Sequence, residues 1–218
     1  MEKSINPRFT KGEEIANAVS HGFGLVFAIV ATVLIVVFSS RTHNTWHIVS
    51  ASIFGFTLIL LYTSSTLNHA LTHTKAKDIF HNFDQIAIYF LIAGTYTPIA
   101  LSIIRDDWGW LMFGIEWGLA LTGTIIKTLF PNRFERGVNT FIIISYIIMG
   151  WMVLFFIIPV MNHMPTHSLW LILIGGGFYS LGVLFFKLEK IPFAHLIWHL
   201  FVVAGSVCHW TAIFIYFI

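Results

Sequence analysis

His195 and His199 stand four residues apart at the start of the last apolar run, in Ala194-His195-Leu196-Ile197-Trp198-His199-Leu200. Residues at i and i+4 share one face of a helix, so both imidazoles can reach a single metal ion. Such a pair is the usual way a helix offers two nitrogen ligands. A zinc site needs at least one more. Ionisable side chains inside a bilayer are rare and turn toward a bundle interior, which makes the pair a candidate functional site. The competing reading is two histidines satisfied by backbone or water near the membrane surface. Spacing alone does not choose between these, because the chain has four His-x-x-x-His pairs: His43/His47, His69/His73, His163/His167 and His195/His199.

The helices that must position these groups are legible from composition. With 57% hydrophobic and 10% charged residues, the chain lacks the charge that a soluble surface needs, and it reads as an all-α integral membrane protein. Seven apolar runs are long enough to span a bilayer, at about 16–40, 46–70, 81–104, 108–130, 139–160, 168–187 and 194–217. The connectors are short, so neighbouring helices run antiparallel and residues 1–218 form a single seven-helix membrane domain. The first run is too long for a cleaved signal peptide and reads as retained. The lone Cys208 allows no internal disulfide, and the net charge of +2 with no basic stripe argues against a nucleic-acid partner. The expected partner is membrane lipid; the sequence is silent on oligomeric state.

Topology narrows the choice of ligands. Lys3, Arg8, Lys11, Lys75, Lys77, Lys127, Arg133, Arg136, Lys187 and Lys190 fall on one side of the membrane, against Arg41 and Arg105 on the other. The positive-inside rule then puts the N-terminus in the cytoplasm and the C-terminus outside. His43/His47 and His163/His167 fall at external helix ends, whereas His69/His73 and His195/His199 fall at internal ends and can meet. His73 lies beyond the apolar run, so His69 is the better third ligand; His81 is the alternative. Ser65 shares the face of His69 one turn away, and Asp84 starts the third helix from the same side. His209 is ten residues past His199, about 15 Å further along the helix, and cannot join that centre.

Energetics favour a shared metal. An Asp at mid-bilayer costs roughly 2.5–3.5 kcal/mol on insertion scales, while a structural zinc contributes on the order of 10–16 kcal/mol. No Lys or Arg within the spans is expected to pair with Asp84.

Three patches resemble the hemolysin III family, the bacterial branch of the progestin and adipoQ receptor family that includes the adiponectin receptors, with more distant similarity to alkaline ceramidases. They are Glu14-x-x-Asn17-x-x-Ser20-His21; Ser65-x-x-x-His69 with His81-x-x-Asp84 and Ala93-Gly94-Thr95-Tyr96-Thr97-Pro98; and His195-x-x-x-His199 with Gly205 and His209. The resemblance implies a seven-helix bundle in the cell membrane, with a zinc ion on His69, His195 and His199 and with Asp84 and Ser65 beside the metal-bound water.

Other residues have two open readings. Glu14 and Asn17 either cap the first helix or close the floor of the site. Glu116 is an intramembrane acid with no partner evident in sequence. Gly175-Gly176-Gly177 is expected to allow close helix packing, Pro98 to kink the third helix, and Trp46, Trp108, Trp110 and Trp198 to anchor at the interfaces. Two functions fit. One is a zinc hydrolase of lipid amides or esters, in which Asp84 activates water and Ser65 stabilises the oxyanion. The other is a membrane-lytic or membrane-homeostasis protein with a structural zinc.

Overall fold

A computed structural model describes residues 9–72, 75–129, 140–188 and 190–218. The described residues fold into seven helices long and apolar enough to cross a membrane: α1 (Lys11–Ser40), α2 (Thr45–Ala70), α3 (Lys75–Ile103), α4 (Arg105–Leu129), α5 (Thr140–His163), α6 (Thr166–Lys187) and α7 (Ala194–Phe217). Large apolar side chains such as Phe23, Val33, Phe155 and Ile158 point outward in mid-helix, an arrangement that suits hydrocarbon rather than water. The polar side chains Ser65, His69, Glu116 and His199 are buried inside.

Helix ends depart from the apolar runs where polar residues supply caps. α1 begins five residues earlier than its apolar run because Thr10 and Glu13 form a capping box: the Thr10 N–H donates to Glu13 Oε2 at 2.9 Å, and the Glu13 N–H donates back to Thr10 Oγ1 at 3.3 Å. α3 begins at Lys75 rather than 81, its first turns being amphipathic. The expected limits at 130 and 139, and His73, lie outside the described residues.

Proline shapes two helices in ways that the apolar pattern hides. Pro98 lies inside α3, but a π turn at Ile99–Ile103 follows it, so the missing donor is absorbed by a widened turn. A second π turn at Arg105–Gly109 opens α4, and only Ile104 separates the two helices. Gly109 is required there, because a Cβ would run into the backbone carbonyl of Ala100. α5 is not the single smooth helix expected: it is interrupted by a 3₁₀ segment at Met152–Phe156 before resuming at Ile157. Pro159 accounts for the break, since its ring excludes the helical carbonyl four residues back. Tyr96 from α3 satisfies the broken turn, donating to the Gly150 carbonyl at 2.7 Å and accepting the Val153 N–H at 3.0 Å.

In the bundle α1 packs on α2 and α7, α2 on α3, α3 on α4, and α6 on α7. α7 also touches α3, which brings its first turns toward the end of α2 and the start of α3. One apolar core joins α1, α2 and α7 around Phe54, Leu58 and Tyr62. A second lies toward the opposite end, around Ile99, Met112, Val153 and Ile172, and a third joins Tyr89, Ala93, Ala120, Ile142 and Met149. Gly175 makes close packing possible, for a Cβ there would strike the His209 ring; Gly177 has nothing nearby and Gly176 only distant contacts, so one glycine of the three does this work.

Candidate metal centre

Each histidine is placed by a helix end. His69 lies in the last turn of α2, and His195 and His199 occupy the first two turns of α7. Their ring nitrogens converge: one ligand-capable atom from each lies within 4.8 Å of the other two. The His195 and His199 ring centroids are 4.6 Å apart, and each is 5.1 Å from that of His69.

Hydrogen bonds fix which nitrogen faces the centre. Glu14 Oε2 is 2.7 Å from His69 Nδ1; a carboxylate only accepts, so Nδ1 carries the hydrogen and Nε2 presents its lone pair. That Nε2 is buried with no hydrogen-bond partner among the described residues. His199 Nδ1 is 3.2 Å from the Asn17 carbonyl and 3.0 Å from Ser20 Oγ, whose hydroxyl itself donates to the same carbonyl at 2.8 Å. A carbonyl likewise only accepts, so the His199 Nε2 is also the unprotonated nitrogen. An unpartnered buried lone pair beside two further imidazoles is what a divalent, nitrogen-preferring ion requires, and the group fits zinc coordination chemistry.

Ser65 and Asp84 line the cavity beside the three histidines. Ser65 is buried one turn before His69, 2.7 Å from His21 Nδ1. Asp84 Oδ2 accepts from Asn68 Nδ2 at 3.0 Å. Asp84 is not without a cation nearby, contrary to the expectation from sequence. Lys127 turns inward from α4, is 5% exposed, and donates to Gln85 Oε1 beside Asp84, near enough to act on that carboxylate electrostatically. Its position in the last turn of an apolar helix hid this in the sequence, where it counted only as a connector charge.

The α1 residues settle an open reading. Glu14 is no simple cap: besides His69 it accepts from Lys77 Nζ at 2.8 Å, and Lys77 also caps α2 through the carbonyls of Asn68 and Leu71. Asn17 is buried and bonds His199 through its backbone. His21 stacks on His199, with centroids 3.5 Å apart and planes 9° from parallel. The signal that could have found this set is the spacing of Glu14, Asn17 and His21 along one face of a helix.

Among the described residues, the remaining histidines do not join the group. His81 is exposed and contacts Gln85; it lines the cavity but stands outside the three-histidine group. His47 pairs with Thr42 and His163 with the Pro159 carbonyl, both at the far end of the bundle. His209 faces the Ile172 carbonyl at 2.9 Å and packs on Tyr179. The site opens into a mainly apolar cavity of about 140 Å³, bounded by His69, Ser65, Asp84 and His199 at one end and by Tyr96, Trp151 and His209 deeper in the bundle. Trp198 lines this cavity.

A seven-helix membrane protein with three histidines gathered inside one end of its bundle is the class defined by this fold and site. A sequence profile described as Haemolysin-III related matches residues 9–210. The chain is 42% identical over 208 residues to the "Hemolysin-3 homolog" of Bacillus subtilis (strain 168), covering 95% of this chain and 96% of that protein. It is 40% identical over 204 residues to "Hemolysin-3" of Bacillus cereus, covering 94% and 91%. It is 33% identical over 214 residues to the human "Monocyte to macrophage differentiation factor", covering 94% and 84%. No solved structure matches. The chain belongs to the haemolysin III family, and it is a multi-pass membrane protein whose Bacillus relatives point to a bacterial plasma membrane.

Proposed function

We propose that the protein is a zinc-dependent hydrolase acting on lipid amide or ester bonds near the cytoplasmic leaflet. The observation that carries this reading is the unpartnered His69 Nε2, set among three converging imidazoles beside Ser65 and Asp84 at the mouth of an apolar cavity. His69, His195 and His199 would hold the zinc. Zinc on three neutral imidazoles supplies Lewis acidity and activates water at neutral pH. Asp84 would take a proton from the attacking water and pass it to the departing amine or alcohol. Ser65 donates to the oxyanion that develops on the scissile carbonyl. Glu14 and His21 hold the imidazoles in place, and the cavity receives the apolar chain. The ten-to-two distribution of basic residues supports a cytoplasmic position for this end.

A second reading is favoured by the names of two relatives, "Hemolysin-3 homolog" and "Hemolysin-3": a lytic or membrane-homeostasis protein whose zinc is structural, with Asp84 completing the shell. Ser65→Ala and Asp84→Asn separate the two. A hydrolase keeps its zinc in Ser65→Ala while release of fatty acid from a panel of amide and ester lipids falls about 10²–10³-fold, the range for loss of one oxyanion donor. A structural site loses zinc or melting temperature in Asp84→Asn and keeps any erythrocyte lysis in Ser65→Ala. Absence of hydrolysis by the wild type on every lipid, with zinc present, sinks the enzyme reading.

A further inference from the structure

Phe9 stands immediately ahead of α1, and its ring covers the histidines. Its centroid is 4.8 Å from that of His195 and 5.8 Å from that of His69. The same side chain borders two spaces: the main cavity, and a second space of about 10 Å³ bounded also by Glu13, Phe185, Phe186, Ile191, Ala194 and His195. Phe9 therefore forms part of the wall between them, directly over the metal centre.

The wall is latched. Glu13 Oε2 accepts from both the N–H and the hydroxyl of Thr10, next to Phe9, at 2.9 and 2.8 Å. Its other oxygen accepts the N–H of Phe193 at 2.9 Å. Phe193 is the residue before α7 and has a left-handed backbone, φ 58°, a conformation costly for an aromatic residue unless its surroundings hold it. One carboxylate thus ties the start of α1, and with it Phe9, to the turn that launches His195 and His199. The tie lies on the exposed rim of the protein, where hydrogen bonds open more readily than in the core.

We propose that Phe9 is a gate on a route between the metal centre and the aqueous face, held shut by the Glu13 link to Phe193. Swinging the ring aside joins the two spaces and opens a passage past His195. The apolar cavity takes the lipid chain, and this route carries water in and the water-soluble product out. What passes rests on the hydrolytic reading; the gate itself is a statement about access and is tested without catalysis.

Ser65→Cys in a Cys208→Ser background places one thiol behind the gate. Its modification by the anionic reagent sulfonatoethyl methanethiosulfonate, in detergent-purified protein, is followed by mass spectrometry. Phe9→Ala and Glu13→Ala each accelerate labelling by about tenfold, the change expected when one charge-assisted hydrogen bond or an equivalent packing contact is lost. Phe9→Trp does not accelerate it. In the chain with native Ser65, the same variants surrender zinc faster to the chromogenic chelator pyridylazoresorcinol at unchanged initial zinc content. Labelling at the Phe9 rate in both alanine variants overturns the gate. Wild-type protein that binds no zinc sinks the hydrolase reading, while the labelling rates still decide the gate.

Discussion

Glu14→Gln probes the site through a residue that touches no metal. In the native protein the Glu14 carboxylate accepts from His69 Nδ1 at 2.7 Å and from Lys77 Nζ at 2.8 Å. Glutamine keeps the shape and offers one carbonyl oxygen. If that oxygen stays on His69, the amide NH₂ turns toward Lys77 and sets donor against donor; if it stays on Lys77, the NH₂ faces His69 Nδ1–H. Either way a charge-assisted bond becomes a neutral one, about half as strong, and a second contact is lost. Outer partners of metal-binding histidines are worth roughly 10–100-fold in affinity. Glu14→Gln is expected near the lower end, about tenfold or about 1.4 kcal/mol, and Glu14→Ala near the upper end, because it leaves the His69 N–H and Lys77 Nζ both short of an acceptor. Lys77 still bonds the Asn68 and Leu71 carbonyls at 2.9 and 3.2 Å, so α2 stays capped in both variants.

The assay is zinc competition against a chelator of known affinity, with Glu116→Gln as control. Glu116 is fully buried in α4 with neither carboxylate oxygen hydrogen-bonded among the described residues, and it lies outside the metal group. Its amide variant should bind zinc like the wild type. A zinc Kd for Glu14→Gln equal to that of Glu116→Gln refutes the assignment of Glu14 as the partner that orients His69.

Metal content should be about one zinc per chain, lost with much of the thermal stability in His69→Ala and His199→Ala and retained in His43→Ala and His163→Ala; full retention in the first two by elemental analysis removes the site. Tyr96→Phe leaves the Gly150 carbonyl and the Val153 N–H without their partner and should lower stability by about 1–3 kcal/mol, read as a lower melting temperature with zinc content unchanged. Orientation is checked with single cysteines in a Cys208→Ser background: Lys187→Cys should be protected from an impermeant thiol reagent in intact cells and His167→Cys should react, and the reverse places the histidines on the outer side.

Helix count and the gathering of His69, His195 and His199 were legible because both rest on strong local signals. An apolar run of spanning length can do little else in a bilayer, and two histidines at helical spacing on ends that topology brings together leave few combinations. What stayed hidden depends on side chains reaching across helices. Lys127 reads as a connector charge by the positive-inside rule, yet its long stem lets the amine fold inward to Gln85. Glu14 sits where a capping acid belongs, and only its distance from His69 shows that it reaches past the cap. The break in α5 is carried by Pro159, but its tolerance comes from Tyr96, 57 positions before Val153 in the chain; no local pattern joins the two. Phe9 lies outside every apolar run, in a polar stretch where an aromatic residue looks incidental. Its meaning comes from the capping box that follows it, because fixing Thr10 and Glu13 fixes where the preceding ring must lie. The same carboxylate that starts α1 thereby determines what covers the histidines. The local rule for beginning a helix and the closure of the metal centre are one interaction, which is why replacing Glu13 should disturb both the helix end and the access to Ser65.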